Sequence, residues 1–96
     1  MTQDKYILVR HYCEKTRIAD NFIGQLHEFG IIRCREIEAE LYITDDDIPE
    51  IERFDRLHRD LGINLEGIDA LNNMMRRMRN MENEMKMLKK RLRLYE

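Results

Sequence analysis

The sequence predicts a mainly α protein: a winged helix-turn-helix head with a small β-hairpin wing, followed by a long C-terminal dimerisation helix. Three observations carry this reading. Leu71, Met74, Met78, Met81, Met85, Leu88, Leu92 and Tyr95 step by three and four without a miss, an a/d heptad seam that only one long helix can present. Ile32 and Cys34 alternate with Arg33 and Arg35, and apolar and polar residues alternate again from Ile37 to Ile43, the period of a half-buried strand. Ahead of that hairpin, two short amphipathic stretches meet at a tight turn, the pattern of a helix-turn-helix.

Along the chain, Tyr6 to Val9 is apolar, and a helical pattern then runs through Tyr12 and Cys13 to Thr16. Arg17 and Ile18 make the turn. The second helix starts at Ala19 or Asp20, with Asp20 as N-cap or first-turn acid. It buries Phe22, Ile23, Leu26 and Phe29, and Gly30 ends it. In the hairpin, Ile37, Ala39, Leu41 and Ile43 alternate with Glu38, Glu40 and Tyr42. No Asn-Gly or Asp-Gly marks the turn, so its position stays open. Thr44 and the run Asp45-Asp46-Asp47 before Ile48-Pro49 are a helix start, with acids in the first turn and a proline that needs no donor there. Ile48, Ile51, Phe54, Leu57 and Leu61 make that helix's buried face, and Gly62 closes it. Asn64 caps the last helix. Residues 1–63 are therefore read as the head and 64–96 as the coiled-coil helix.

The seam predicts a homodimer, because a helix this charged cannot bury its apolar stripe alone; packing back on its own domain is the simpler alternative. Arg77, Glu84 and Arg91 fall at g and Glu82, Lys89 and Glu96 at e, so every g-to-e contact of a parallel pair is attractive. An antiparallel pair depends on register and stays open.

The net charge of -2 hides an asymmetry: residues 1–33 carry +1, residues 34–69 carry -8 and residues 70–96 carry +5. The acidic middle disfavours a phosphate backbone and favours a basic protein partner. The basic tail either solvates a dimer helix or holds nucleic acid. Cys13 and Cys34 form no CxxC, and His11, His27 and His58 are scattered, so neither a metal nor a cofactor is expected. The acid run lacks the spacing of a calcium loop. No apolar stretch reaches the ~20 residues of a membrane span, and MTQDKYILVR lacks the ~7–15-residue apolar core of a signal peptide. A reduced, cytoplasmic protein is the expectation. No nucleophile–base constellation, phosphate loop or carboxylate pair points to an enzyme.

The order of elements resembles the MerR family of winged-helix regulators. Their pattern T-G-V-S-P-R-T-L-R-Y-Y-E-x-x-G-L-L aligns without a gap on Thr16 to Ile32, with Thr16, Ile18, Ile23, Gly30 and Ile32 on its fold positions. Leu61-Gly62-Ile63-Asn64-Leu65-Glu66-Gly67-Ile68 resembles the family's link into its dimer helix. Two arginines of the family's recognition helix fall on Asn21 and Gly24, and its tyrosine pair on Gln25 and Leu26. Ala19 to Phe29 holds no Lys or Arg, but does hold Asp20 and Glu28. Non-specific DNA affinity comes from cations on phosphates, so this helix should repel a duplex. The wing offers Arg33 and Arg35, followed by Glu36, Glu38 and Glu40.

The chain is also similar to the CbpM family of chaperone modulators, which shares that architecture. The shared features are Tyr12-Cys13 in the first helix, the Thr16-to-Ile18 turn, the non-basic second helix, Arg35-Glu36-Ile37 in the hairpin and the acidic start of the third helix. The family's turn glycine is Arg17 here. The resemblance implies a non-enzymatic regulator that binds the J-domain of a CbpA- or DnaJ-like co-chaperone and blocks its stimulation of a DnaK-type chaperone. The resemblance to the MerR family implies antiparallel dimer helices. J-domains dock through a basic helix, and an acidic face complements it by charge. The candidate contacts are Asp46, Glu50 and Asp55, read as outward acids of the third helix, with wing acids Glu38 and Glu40; the plainer reading is that they are solvated. The alternative function is a MerR-type DNA-binding transcription regulator.

Overall fold

A computed structural model describes residues 5–95. In chain order these form β1 (Tyr6–Leu8), α1 (Val9–Lys15), α2 (Asp20–Glu28), β2 (Arg35–Ile37), β3 (Glu40–Thr44), a 3-10 turn at Asp45–Asp47, α3 (Ile48–Leu61) and α4 (Leu65–Leu94). This is the mainly α, winged helix-turn-helix architecture with a long last helix. One cluster unites the head: Val9 and Tyr12 from α1, Ile18 from the turn, Phe22, Ile23 and Leu26 from α2, Ile43 from β3, Ile51 and Phe54 from α3, and Ile68 from α4.

Thr16 makes the helix-turn-helix corner. Its Oγ1 donates to the Tyr12 carbonyl at 3.1 Å and accepts from the Ile18 amide at 3.3 Å. That closes α1 and aims Ile18 into the core. Arg17 takes the turn without left-handed backbone, since among the described non-glycine residues only Glu38 and Ala39 have positive φ. Gly30 (φ +74°) and Gly62 (φ +66°) end α2 and α3 in the conformation that costs glycine least. Phe29 differs from expectation. It lies beyond the last turn of α2 and is 41 % exposed.

The sheet is antiparallel in the order β1-β3-β2, with Ile7 opposite Ile43. Periodicity assigns no element to Tyr6–Val9; three of these residues become an edge strand because β3 offers them a ladder. The turn falls inside the alternating run that reads as one strand. Glu38 and Ala39, at φ +50° and +66°, reverse the chain so that Ile37 faces Glu40, the two-residue hairpin geometry that right-handed strand twist prefers. Ile37 therefore ends 42 % exposed while Ile43 is 1 % exposed. Non-glycine residues in this region cost roughly 1–2 kcal/mol each.

Asp47 organises the start of α3: its Oδ2 accepts from the Thr44 amide at 2.8 Å and the Thr44 hydroxyl at 3.1 Å. Ile51 and Phe54 are fully buried, but Leu61 is 69 % exposed, a turn past the core. Asn64 Oδ1 accepts from the Gly67 amide at 2.8 Å and caps α4. Ile68 and Asn72 are buried against the head, whereas residues 76–95 are exposed throughout. At 1.5 Å per residue, about 30 Å of helix extends beyond the head.

Candidate functional site

The surface that a helix-turn-helix presents to a groove is the outward face of α2. Phe22, Ile23 and Leu26 are buried, which turns Asp20, Asn21, Gln25 and Glu28 outward, all exposed. The face holds two carboxylates, two amides and no cation. Arg35 on the wing edge lies over the Tyr6 ring at 5.2 Å and donates to the Tyr6 hydroxyl at 3.1 Å, so part of its capacity is spent inside the chain. Arg33 is exposed.

The five candidate acids occupy three places. Glu38 is exposed at the hairpin tip, and Glu40 beside it pairs with Arg10 at 3.4 Å. Asp46 is exposed in the 3-10 turn and Glu50 is half-buried in the first turn of α3. The five-residue strand β3 separates these groups by roughly 15 Å at ~3.3 Å per residue. Asp55 is a correction. It is not outward: it is 5 % exposed and forms an i,i+4 ion pair with Arg59. Helical phase explains this, because Asp55 adjoins Phe54 and lies four residues from Ile51, at the edge of the buried stripe.

Asp55 forms part of a cleft of about 250 Å³ between the helix-turn-helix corner and α3, with Tyr12, Thr16, Arg17, Glu52, Arg56 and Arg59 around it. The buried Tyr12 hydroxyl has no hydrogen-bond partner among the described residues. Burial, then electrostatic repulsion from Glu52, the neighbouring Cys13 and Asp55, pushes its pKa up. Sequence reading did not find this cleft. Its one sequence-level signal is the Asp55–Arg59 spacing.

Two of the three histidines, His27 and His58, have structural partners. His27 Nδ1 accepts from the Cys34 amide at 3.2 Å. His58 stacks on Phe22 with centroids 5.0 Å apart, and its Nδ1 donates to the Ile63 carbonyl at 2.9 Å. Burial, then the hydrogen bond and charge of Asp20, push the Cys13 thiol up to about 12. Burial, then the charge of Asp47, push Cys34 up to about 11. Both thiols stay protonated at neutral pH. Among the described residues no three His, Cys, Asp or Glu side chains gather as metal ligands, and no helix is long and apolar enough to cross a membrane.

On α4 the heptad seam is open. Met74, Met78, Met81, Met85, Leu88 and Leu92 are 57–63 % exposed, and Tyr95 is 91 % exposed. Only Leu71, the first seam residue, is half-buried against the head. Glu96, placed at e by the sequence, lies outside the described residues.

A family model described as MerR HTH family regulatory protein matches residues 7–90. The chain belongs to this MerR family. The match runs from β1 through most of α4, so it covers both the head and the seam helix. Among curated proteins and solved structures, none matches the chain. Membership gives a regulatory helix-turn-helix domain and does not itself name the partner.

Proposed function

We propose that this MerR-family chain is a non-enzymatic regulator that binds a basic protein surface instead of a DNA groove. Its partner in this reading is the J-domain of a CbpA- or DnaJ-like co-chaperone, whose stimulation of a DnaK-type chaperone it inhibits. A homodimer joined along α4 is the acting form. The observation that carries the reading is the outward face of α2: two exposed acids and no cation where a groove-reading helix needs cations. The similarity to the CbpM modulators names the partner class. Exposed ion pairs contribute at most about 1 kcal/mol each, so Glu38, Asp46 and Glu50 chiefly steer encounter and set orientation. Glu40 and Asp55, held by Arg10 and Arg59, contribute less as free charges.

Calorimetric titration of a purified J-domain tests this, with stimulation of the chaperone ATPase measured alongside. The wild type binds and suppresses stimulation. The variant with Glu38→Lys, Asp46→Lys and Glu50→Lys binds at least about tenfold more weakly, with a slower association rate. Absence of wild-type binding sinks the partner assignment; undiminished binding by the variant removes only the acidic-face mechanism. The family match itself favours a second reading, a DNA-binding regulator. Specific, salt-sensitive binding of an operator duplex through α2 would establish it.

A further inference from the structure

The outer face of α4 carries a second pattern at heptad spacing. Arg76, Arg79, Asn83, Lys86, Lys90 and Arg93 repeat by three and four, at the b and f positions. They make a line about 26 Å long at 1.5 Å per residue. All six are exposed. No carboxylate lies on the line. Glu82 flanks it and Glu84 sits toward the seam, yet neither ion pair among the described residues involves α4. At the far end Lys86, Lys89, Lys90 and Arg93 surround a shallow recess of about 230 Å³. At ~100° per residue the line lies roughly opposite the methionine seam, so a second copy on the seam leaves it uncovered.

A merely solvated face would intersperse signs. Here Arg76–Arg79, Lys86–Lys90 and Lys90–Arg93 are like charges at i,i+3 and i,i+4, which weakens the helix that bears them. We propose that this line is a docking surface for the phosphate backbone of double-stranded nucleic acid, read without regard to sequence. Two cations before Asn83 and three after it, aligned on one helix face, fit a linear polyanion of uniform charge, and a duplex carries one charge per ~1.7 Å of axis. A bilayer surface fits poorly, because an interfacial helix sinks its apolar face between flanking cations, and here the two faces point apart. The site is independent of what the head binds.

The test is the anisotropy of a labelled random duplex titrated with the full chain between about 50 and 200 mM salt. With five cations engaged at ~0.9 each, log K against log salt falls with a slope of about -4.5, a loss of roughly 500-fold across that range. The Lys86→Gln, Lys90→Gln, Arg93→Gln variant keeps its helix content by circular dichroism, since glutamine and lysine have similar helix propensity. Its slope drops to about -1.8 and its affinity at ~100 mM salt falls at least tenfold. Arg33→Gln with Arg35→Gln on the wing leaves the slope unchanged. Four results overturn the proposal: no wild-type binding at ~100 mM salt, equal slopes for wild type and tail variant, a slope lost in the wing variant instead, or binding to phosphatidylserine vesicles with none to duplex.

Discussion

Replacing Met81 and Leu88 together by lysine is the sharpest perturbation of the open seam. Both are d positions, 63 % and 57 % exposed. Fully burying such a side chain contributes ~1.5–3 kcal/mol. With somewhat over half of each surface left to bury, a partner helix gains about 1–1.5 kcal/mol per residue. Two-fold symmetry counts each residue twice, so the double variant forfeits roughly 4–6 kcal/mol, or about 10³–10⁴ in the dimer dissociation constant. The lysines also bring like charges to the seam. Light scattering behind size exclusion, with sedimentation equilibrium across a concentration series, reads the change: the wild type has the mass of two chains and the variant that of one. Circular dichroism should show the head intact, because its core lies before Met75. The reasoning fails if the wild type has the mass of one chain at its highest soluble concentration. It fails equally if the variant dimerises like the wild type.

Two further outcomes follow from the backbone and the thiols. Ala39→Gly relieves a left-handed backbone at φ +66° and should stabilise the head by about 1 kcal/mol, raising Tm by several degrees; a lowered Tm would refute the left-handed hairpin turn. Cys13 and Cys34, raised to about 12 and 11, are protonated in the fold, whereas in the unfolded chain they ionise near pH 9. Their contribution to stability is therefore complete below about pH 9 and is lost as pH climbs toward their folded values. Denaturation midpoints should fall above about pH 9 in the wild type and flatten in the Cys13→Ala, Cys34→Ala variant, and equal slopes would contradict the thiol assignment.

The fold was legible wherever one local rule acted alone. Thr16, Gly30, Gly62 and Asn64 mark helix ends through side-chain or backbone geometry that each residue carries with it. The errors came where tertiary context decides. Tyr6–Leu8 is a strand only because β3 lies beside it. The Glu38–Ala39 turn is hidden because an alternating pattern runs unbroken through it. The surface was harder to read than the core, since an acid's letter does not say whether it is free. Asp47 is a cap, Asp55 is paired with Arg59 and Glu40 with Arg10, while Glu38 and Asp46 are exposed. The cleft around Tyr12 gathers residues from α1, the turn and α3, and no periodicity spans such a set.

Those pairings change what the -8 of the middle segment means. Three of its carboxylates serve the fold, so the field at any docking surface comes from fewer groups than the count suggests, gathered at the hairpin tip and the start of α3. The cationic recess lies on the far half of α4, with Lys86 about 16.5 Å beyond Met75 at 1.5 Å per residue, while Arg76, Arg77 and Arg79 carry positive charge beside the head. Screening at physiological salt acts over ~8 Å. Within one chain the acidic groups of the head and the cationic recess are therefore electrically separate at working ionic strength, and each can engage a partner of opposite sign without cancelling the other. Such separation requires a rigid spacer, which the proposed pairing of two α4 helices would provide. A lone helix exposing this many methionines would sample other packings, whereas a paired one would hold the far end of the basic line straight and away from its own head. In the proposed homodimer, closing the seam would therefore govern more than mass, by holding each chain's recess away from its own head.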